Sequence, residues 1–148
     1  MAIEIILVDT SALYALLDRD EAQHEQARDA WTGLMETETP LLTHNYVLVE
    51  TLALTQRRLG IEAVRALHQD LLPVLDVAWV GDDLHHTAVE ALLASGSRSI
   101  SLVDRVSFAL MRQRGIQTAF AFDDDFSREG FNIVGGNRKR TGRLKRSG

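Results

Sequence analysis

Short apolar runs separated by paired helical patterns are what most limit the folds open to this chain. Ile3 to Val8 (IEIILV) is nearly continuous in apolar residues, the signature of a strand buried on both faces. Ser11 is placed to cap the helix that follows, where Ala12, Leu13, Ala15, Leu16 and Leu17 recur at helical spacing up to the Asp18-Arg19-Asp20 cluster. Gln23 to Met35 reads as a second helix, with Ala27, Ala30, Trp31 and Leu34 on one face. Pro40 opens a second strand, Leu41 to Thr43, and Asn45 is placed to cap a third helix that Gly60 breaks. Ile61 to Leu72 restarts as a fourth helix, and Val74 to Val80 is a third strand ended by Gly81. Asp83 to Leu93 is helical, Ser95-Gly96-Ser97 is a loop, and Ser101 caps a helix from Leu102 to Arg114 that Gly115 stops. Thr118 to Phe122 is a fourth strand, and Phe131 to Val134 a short fifth at an edge. Strands joined by pairs of helices predict an α/β/α sandwich with a central parallel sheet of four to five strands.

A chain of 148 residues, 45% apolar and 25% charged, is long enough for one domain with a substantial core. There are no cysteines, which excludes disulfides, thiolate zinc sites and cysteine nucleophiles. The chain opens Met-Ala-Ile-Glu without a basic leader, so no signal peptide is read, and no apolar run approaches the ~20 residues of a membrane helix. A cytoplasmic setting fits. The net charge of −5 is unevenly placed. No acid follows Glu129, and Arg138, Lys139, Arg140, Arg143, Lys145 and Arg146 make the end basic. Residues 1–137 carry 10 arginines against 21 acids. The reading is a globular domain over residues 1–136 and a basic tail over 137–148, either a solvated, disordered terminus or an arm that meets nucleic acid by charge.

Four acidic segments carry the chemistry: Val8-Asp9-Thr10-Ser11, Val49-Glu50-Thr51, Leu102-Val103-Asp104 and Phe122-Asp123-Asp124-Asp125. Asp9 and Asp123 close strand patterns; Glu50 and Asp104 sit at or near helix starts. In an open parallel sheet, strand C-termini and the helix starts after them meet on one edge. Carboxylates gathered there repel one another unless a divalent cation that prefers oxygen, Mg²⁺ or Mn²⁺, neutralises them. Each acid also has a plainer reading. Asp9 could cap a helix, although Ser11 is already placed to do so. Glu50 could face solvent. Asp104 fits a capping box with Ser101. The aspartates at 123–125 could be a solvated turn, with Asp123 nearest the strand end and Asp125 the second choice as ligand. His24, His68, His85 and His86 have no partner at zinc-ligand spacing, and the surface is the expected place for each. His44, at a strand end near the proposed site, could touch substrate or pack inside.

In this order and spacing, the four segments resemble the PIN domain family, in particular the VapC-type toxins of bacterial and archaeal toxin–antitoxin pairs. The matching stretches are Val8 to Leu13, Asn45 to Thr51, Ser101 to Met111 and Ala121 to Phe126, with Gly130-Phe131 after them. The resemblance spans residues 3 to about 134. It implies a metal-dependent endoribonuclease that hydrolyses RNA phosphodiester bonds, with Mg²⁺ (or Mn²⁺) held by Asp9, Glu50, Asp104 and Asp123, and Ser11 and Ser101 as supporting hydroxyls; Asp125, the second choice from the residues themselves, is a further candidate ligand. His44, Arg105, Arg138, Lys139 and Arg140 are the candidate RNA contacts. The partners implied are an RNA substrate, a cognate antitoxin and a second copy of the chain; Trp31, Leu34 and Met35 could pair with that copy or equally be core. The chain departs from the family pattern at Val103, where many relatives carry threonine. The alternative from another class is a catalytically weak PIN-like module that binds RNA within a processing assembly; an unrelated phosphatase or nuclease on a similar sheet is a third.

Overall fold

The computed structural model describes residues 3–135. Five short strands form one sheet: β1 (Ile6–Val8), β2 (Leu41–His44), β3 (Asp76–Ala78), β4 (Thr118–Phe120) and β5 (Asn132–Val134). All neighbours run parallel, in the order β3-β2-β1-β4-β5. Helices α1 (Thr10–Leu17) and α2 (His24–Glu36) join β1 to β2. The link from β2 to β3 is α3 (Asn45–Leu59) and α4 (Ile61–Ala66), which continues as a wide turn over Leu67–Leu71 and a tight one over Leu72–Val74. The chain then crosses to the far side of β1 through α5 (Asp82–Ser95) and α6 (Leu102–Arg114), and the short α7 (Asp125–Arg128) leads to β5. This is the expected α/β/α arrangement.

Strand period sorts the core into two layers. On one face Ile6, Val8, Leu41 and Phe120 pack against Ala12, Leu13, Ala15, Ala27, Leu34 and Val47 from α1, α2 and α3. On the other, Leu7, Leu42, Ala119 and Ala121 meet Phe108, Leu110, Met111 and Phe126 from α6 and α7. Trp31 and Met35 pack on the first layer, where Leu34 is buried. Of the three α2 residues expected to pair two copies, Leu34 belongs to the core, whereas Trp31 and Met35 are only half-buried at its edge. Val103 packs on the same layer.

Several boundaries are set by side chains that intercept backbone groups. β1 starts at Ile6, not Ile3, because its pairing with β2 and β4 begins there; Ile3 and Ile5 are exposed. β3 stops at Ala78 because the Val80 N–H donates to Asn45 Oδ1 at 2.6 Å. β4 stops at Phe120 because the Phe122 N–H donates to Ser11 Oγ at 3.0 Å. Asn45 thus ties α3 to the end of β3. The cap of α3 is His44, whose Nδ1 accepts from the Val47 N–H.

His44 has no solvent exposure, and burial lowers its pKa to about 4. The neutral ring, with Nδ1 accepting, carries its proton on Nε2 and donates it to Ser107 Oγ at 2.8 Å. His44 thus joins β2 to α6 and cannot touch a substrate, which corrects its expected role. A second buried polar link joins α1 to α3: Thr51 donates to Thr10 Oγ1 at 3.0 Å, and Thr10 to the Val47 carbonyl at 3.5 Å. Replacing Ser107 with alanine leaves the His44 Nε2–H unpaired where water cannot reach. Ser107→Ala is expected to cost about 1–3 kcal/mol, read as a lower urea midpoint at unchanged m-value. An unchanged midpoint would show that this bond does not hold β2 to α6.

Candidate metal centre

The sheet order puts a switch point between β1 and β4, where successive connections leave in opposite directions. In open α/β sheets the crevice at the carboxyl ends of such strands is where ligands bind. Asp9 directly follows β1, and Asp123 lies just past the end of β4. The two chain exits are fastened together: the Asp9 N–H donates to the Phe120 carbonyl at 3.1 Å. Ser11 completes the joint. Its hydroxyl donates to Asp9 Oδ2 at 2.8 Å and accepts from the Phe122 N–H.

Asp9, not Ser11, is the N-cap of α1. Its carbonyl accepts from the Ala12 and Leu13 N–H groups, and its carboxylate from the Ser11 N–H at 3.1 Å. Capping and cluster membership are thus not alternatives for this residue. It is 3% exposed, buried where the crevice is deepest. Asp104 arrives in the first turn of α6, whose cap is Ser101 as expected: the Ser101 hydroxyl accepts from the Asp104 N–H at 3.1 Å. That bond fixes the turn and directs the Asp104 side chain into the crevice.

One oxygen from each of Asp9, Asp104 and Asp123 lies within 4.8 Å of the others. At such a spacing and an effective dielectric of ~20, two full charges repel by about 3 kcal/mol. Burial raises all three pKa values. Asp9 is pushed up to about 6 by desolvation and then by Asp123, with the two bonds from Ser11 pulling the other way. Asp104 reaches about 8, driven by desolvation and by the charges of Asp9, Asp123, Asp125 and Glu50. Asp123 is raised by desolvation and held back by the Asp125 N–H, which donates to its Oδ1 at 3.1 Å.

The donor set fits a hard divalent cation. Oxygens bound to one cation at ~2.1–2.4 Å stand at most ~4–5 Å apart, and the three here lie within 4.8 Å of one another. The cluster opens into a cleft of about 430 Å³ lined by Asp9, Thr10, Ser11, Glu50, Ala53, Leu54, Arg57, Ser101, Asp104 and Asp123. Glu50 is exposed on the cleft wall, outside the group of three. Asp125 also stands outside it, paired with Arg128 at 3.4 Å. Arg105 does not line this cleft: it lies in the groove between α5 and α6 with Phe108 and Arg112, with its Nε buried. Arg138, Lys139 and Arg140 lie outside the described residues. Arg57 is the cleft residue that the acidic segments alone do not reveal. The signal that could find it is the spacing Glu50, Ala53, Leu54, Arg57 on α3, one face of a helix.

A family model for the PIN domain matches residues 6–132. The 23S rRNA-specific endonuclease VapC20 of Mycobacterium tuberculosis is 43% identical over 128 residues, 86% of this chain and 95% of that protein. The crystal structure of Mycobacterium tuberculosis VapC20, described as a Sarcin-Ricin loop cleaving toxin, aligns with a TM-score of 0.75 at 41% identity, covering 85% of this chain and 95% of that one. FitAcB from Neisseria gonorrhoeae shares the fold at a TM-score of 0.65 and 14% identity, over 87% of this chain and 96% of that one. With the acids at the switch point of such a sheet, the chain belongs to the PIN domain family, among its VapC-type members.

Proposed function

We propose that this protein is an endoribonuclease dependent on Mg²⁺, with Mn²⁺ as a substitute, and the toxin of a toxin–antitoxin pair. The observation that carries the reading is the convergence of Asp9, Asp104 and Asp123 at the switch point. The relative at 43% identity is itself a ribonuclease, which supports RNA as the substrate class. A module that only binds RNA has no use for three clustered carboxylates that repel one another.

Asp9, Asp104 and Asp123 would hold the metal, with Glu50 at the wall and Asp125 as a more distant contributor. When bound, such a cation lowers the pKa of a water for attack and offsets charge on the phosphate. Ser11 keeps the Asp9 carboxylate oriented, and Ser101 keeps Asp104 turned inward. Among the described residues no helix is long and apolar enough to cross a membrane, and we place the reaction in the cytoplasm, with a cognate antitoxin as the restraining partner. A second copy also belongs to the proposed assembly, with the half-buried Trp31 and Met35 of α2 as its candidate contacts. In this reading residues 1–136 form the nuclease domain and 137–148 the basic tail.

Asp9→Asn and Asp104→Asn are expected to lower Mg²⁺-dependent RNA cleavage at least about a hundredfold without lowering the melting temperature. Either variant cleaving at the parent rate would overturn the site.

The raised carboxylates set a sign for stability. Asp9 and Asp104 hold protons in the folded state that the unfolded chain has already released above its ordinary carboxyl range. Their contribution is full below about pH 4 and is lost as pH rises through about 6 and about 8. Without metal, stability should therefore fall across that window, and Asp104→Asn should flatten the fall. Mg²⁺ should raise the melting temperature more at pH 8 than at pH 6. At a hundred times its dissociation constant it adds about 2.7 kcal/mol, roughly 5–10 °C for a domain of this size. An equal shift in parent and Asp104→Asn would mean that the ion acts elsewhere.

β5 runs beside β4, so the chain leaves Gly135 at the edge that carries Asp123. Deleting residues 137–148 is expected to weaken RNA binding and to flatten its log–log salt dependence by about 0.7 for each phosphate that the tail engages. The metal-dependent thermal shift should not change. An unchanged salt slope would remove the tail from the RNA-binding surface.

A further inference from the structure

Helix α3 places Tyr46, Glu50, Ala53 and Arg57 on one face, within a sector of about 60° at ~100° per residue. Glu50, Ala53 and Arg57 line the acidic cleft, and Tyr46 sits one turn before Glu50. The two ends of this face differ in chemistry. At one end is Arg57, exposed and with no ion pair or hydrogen bond among the described residues. Its neighbour Arg58 is occupied, with its guanidinium 5.7 Å from the centre of the Tyr14 ring. A free guanidinium beside a carboxylate cluster is a fork suited to the oxygens of a phosphate that the cluster is to act on.

At the other end three rings adjoin. Tyr46 hydroxyl and His85 Nδ1 are hydrogen-bonded, and their ring centres lie 5.9 Å apart. His86 stands edge-on to His85 at 5.5 Å and is exposed. The Tyr46–His85 bond ties α3 to α5, but that tie does not need His86. An exposed ring braced from behind by two others is a surface on which an unpaired base can stack. From Tyr46 to Arg57 the helix rises ~16 Å, with the cleft-lining Glu50 and Ala53 between them along the helix.

We infer that this face of α3 is a track for single-stranded RNA: Arg57 holds a phosphate on one side of the acid cluster, and the Tyr46–His85–His86 rings stack an unpaired base on the other. The track rests on the ribonuclease reading above and adds to it which residues hold the strand.

The two ends should be separable by salt. In an Asp104→Asn background, which keeps the probe intact, a fluorescein-labelled 12-nucleotide single-stranded RNA of mixed sequence is titrated by anisotropy over a NaCl series. Arg57→Ala should bind several-fold more weakly, with the log–log slope less steep by about 0.7. Arg57→Lys should restore the slope. His86→Ala should weaken binding roughly 5–100-fold with the slope unchanged, because stacking releases no counterion. Arg65→Ala, on α4 and paired with Glu62 at 3.4 Å, should bind as the parent does. Parent-like affinity and slope in Arg57→Ala would overturn the phosphate end. Parent-like affinity in His86→Ala, or a slope reduced as in Arg57→Ala, would overturn the stacking end. A parent domain that neither binds nor cleaves RNA would instead overturn the ribonuclease reading, and the track with it.

Discussion

Mutual repulsion among carboxylates at the β1–β4 crevice is the constraint around which the rest of the structure is arranged. Each pair of full charges at their separation costs about 3 kcal/mol, a sizeable share of the roughly 5–15 kcal/mol that keeps a domain folded. Without a cation, protons offset that cost, because burial and neighbouring charge raise the pKa values of Asp9 and Asp104. A divalent cation relieves it without them. Metal binding at the cluster would therefore be coupled to folding through the same groups.

The fold spreads the load unevenly. Asp9 caps α1 and Asp104 sits in the first turn of α6, so both carboxylates stand where a helix dipole favours negative charge. Asp9 receives two further donations from Ser11, one from the N–H and one from the hydroxyl. Asp104 is less deeply buried, yet four neighbouring acids act on it and its pKa rises further. Ser11 matters twice: it lowers the cost of charging Asp9, and it ends β4 by taking the Phe122 N–H. The same oxygen sets the electrostatics of one exit and the path of the other, so α1, β1 and β4 leave the crevice in a fixed relation.

The parallel sheet, the two-layer core and the three convergent aspartates are legible in the sequence because each rests on a local pattern: a run, a period, or an acid at an element's end. What is not legible depends on pairing across the fold. Ser11 reads as the cap of α1 because serine at a helix start usually is one; its hydroxyl faces β4, which no local pattern reveals. Asn45 reads as the cap of α3 for the same reason, yet it serves Val80, 35 residues away. His44 at a strand end reads as available to substrate; only the position of Ser107, 63 residues on, makes it a core residue. Trp31 and Met35 form an apolar stripe whose partner cannot be named from the stripe alone. Arg57 is one of two adjacent arginines in the sequence, and only the position of Tyr14 separates their roles.

Glu50 shows why the acids of such a site need not be equivalent. It is exposed on the cleft wall, yet its charge still raises Asp9 and Asp104. Water solvates Glu50 directly, so its charge costs little desolvation, whereas the aspartates below it carry that cost in proportion to their burial. A cation entering the cleft would meet Glu50 at the wall and the three aspartates deeper in. The wall acid would favour entry by charge alone, and the deep acids would hold the ion through the relief of a repulsion that they otherwise escape only by taking up protons. The step from wall to floor is set by α3, whose buried Thr51 is bonded to Thr10 beside Asp9. The same bond that fixes the helix on the sheet therefore fixes the depth difference between Glu50 and the cluster it faces.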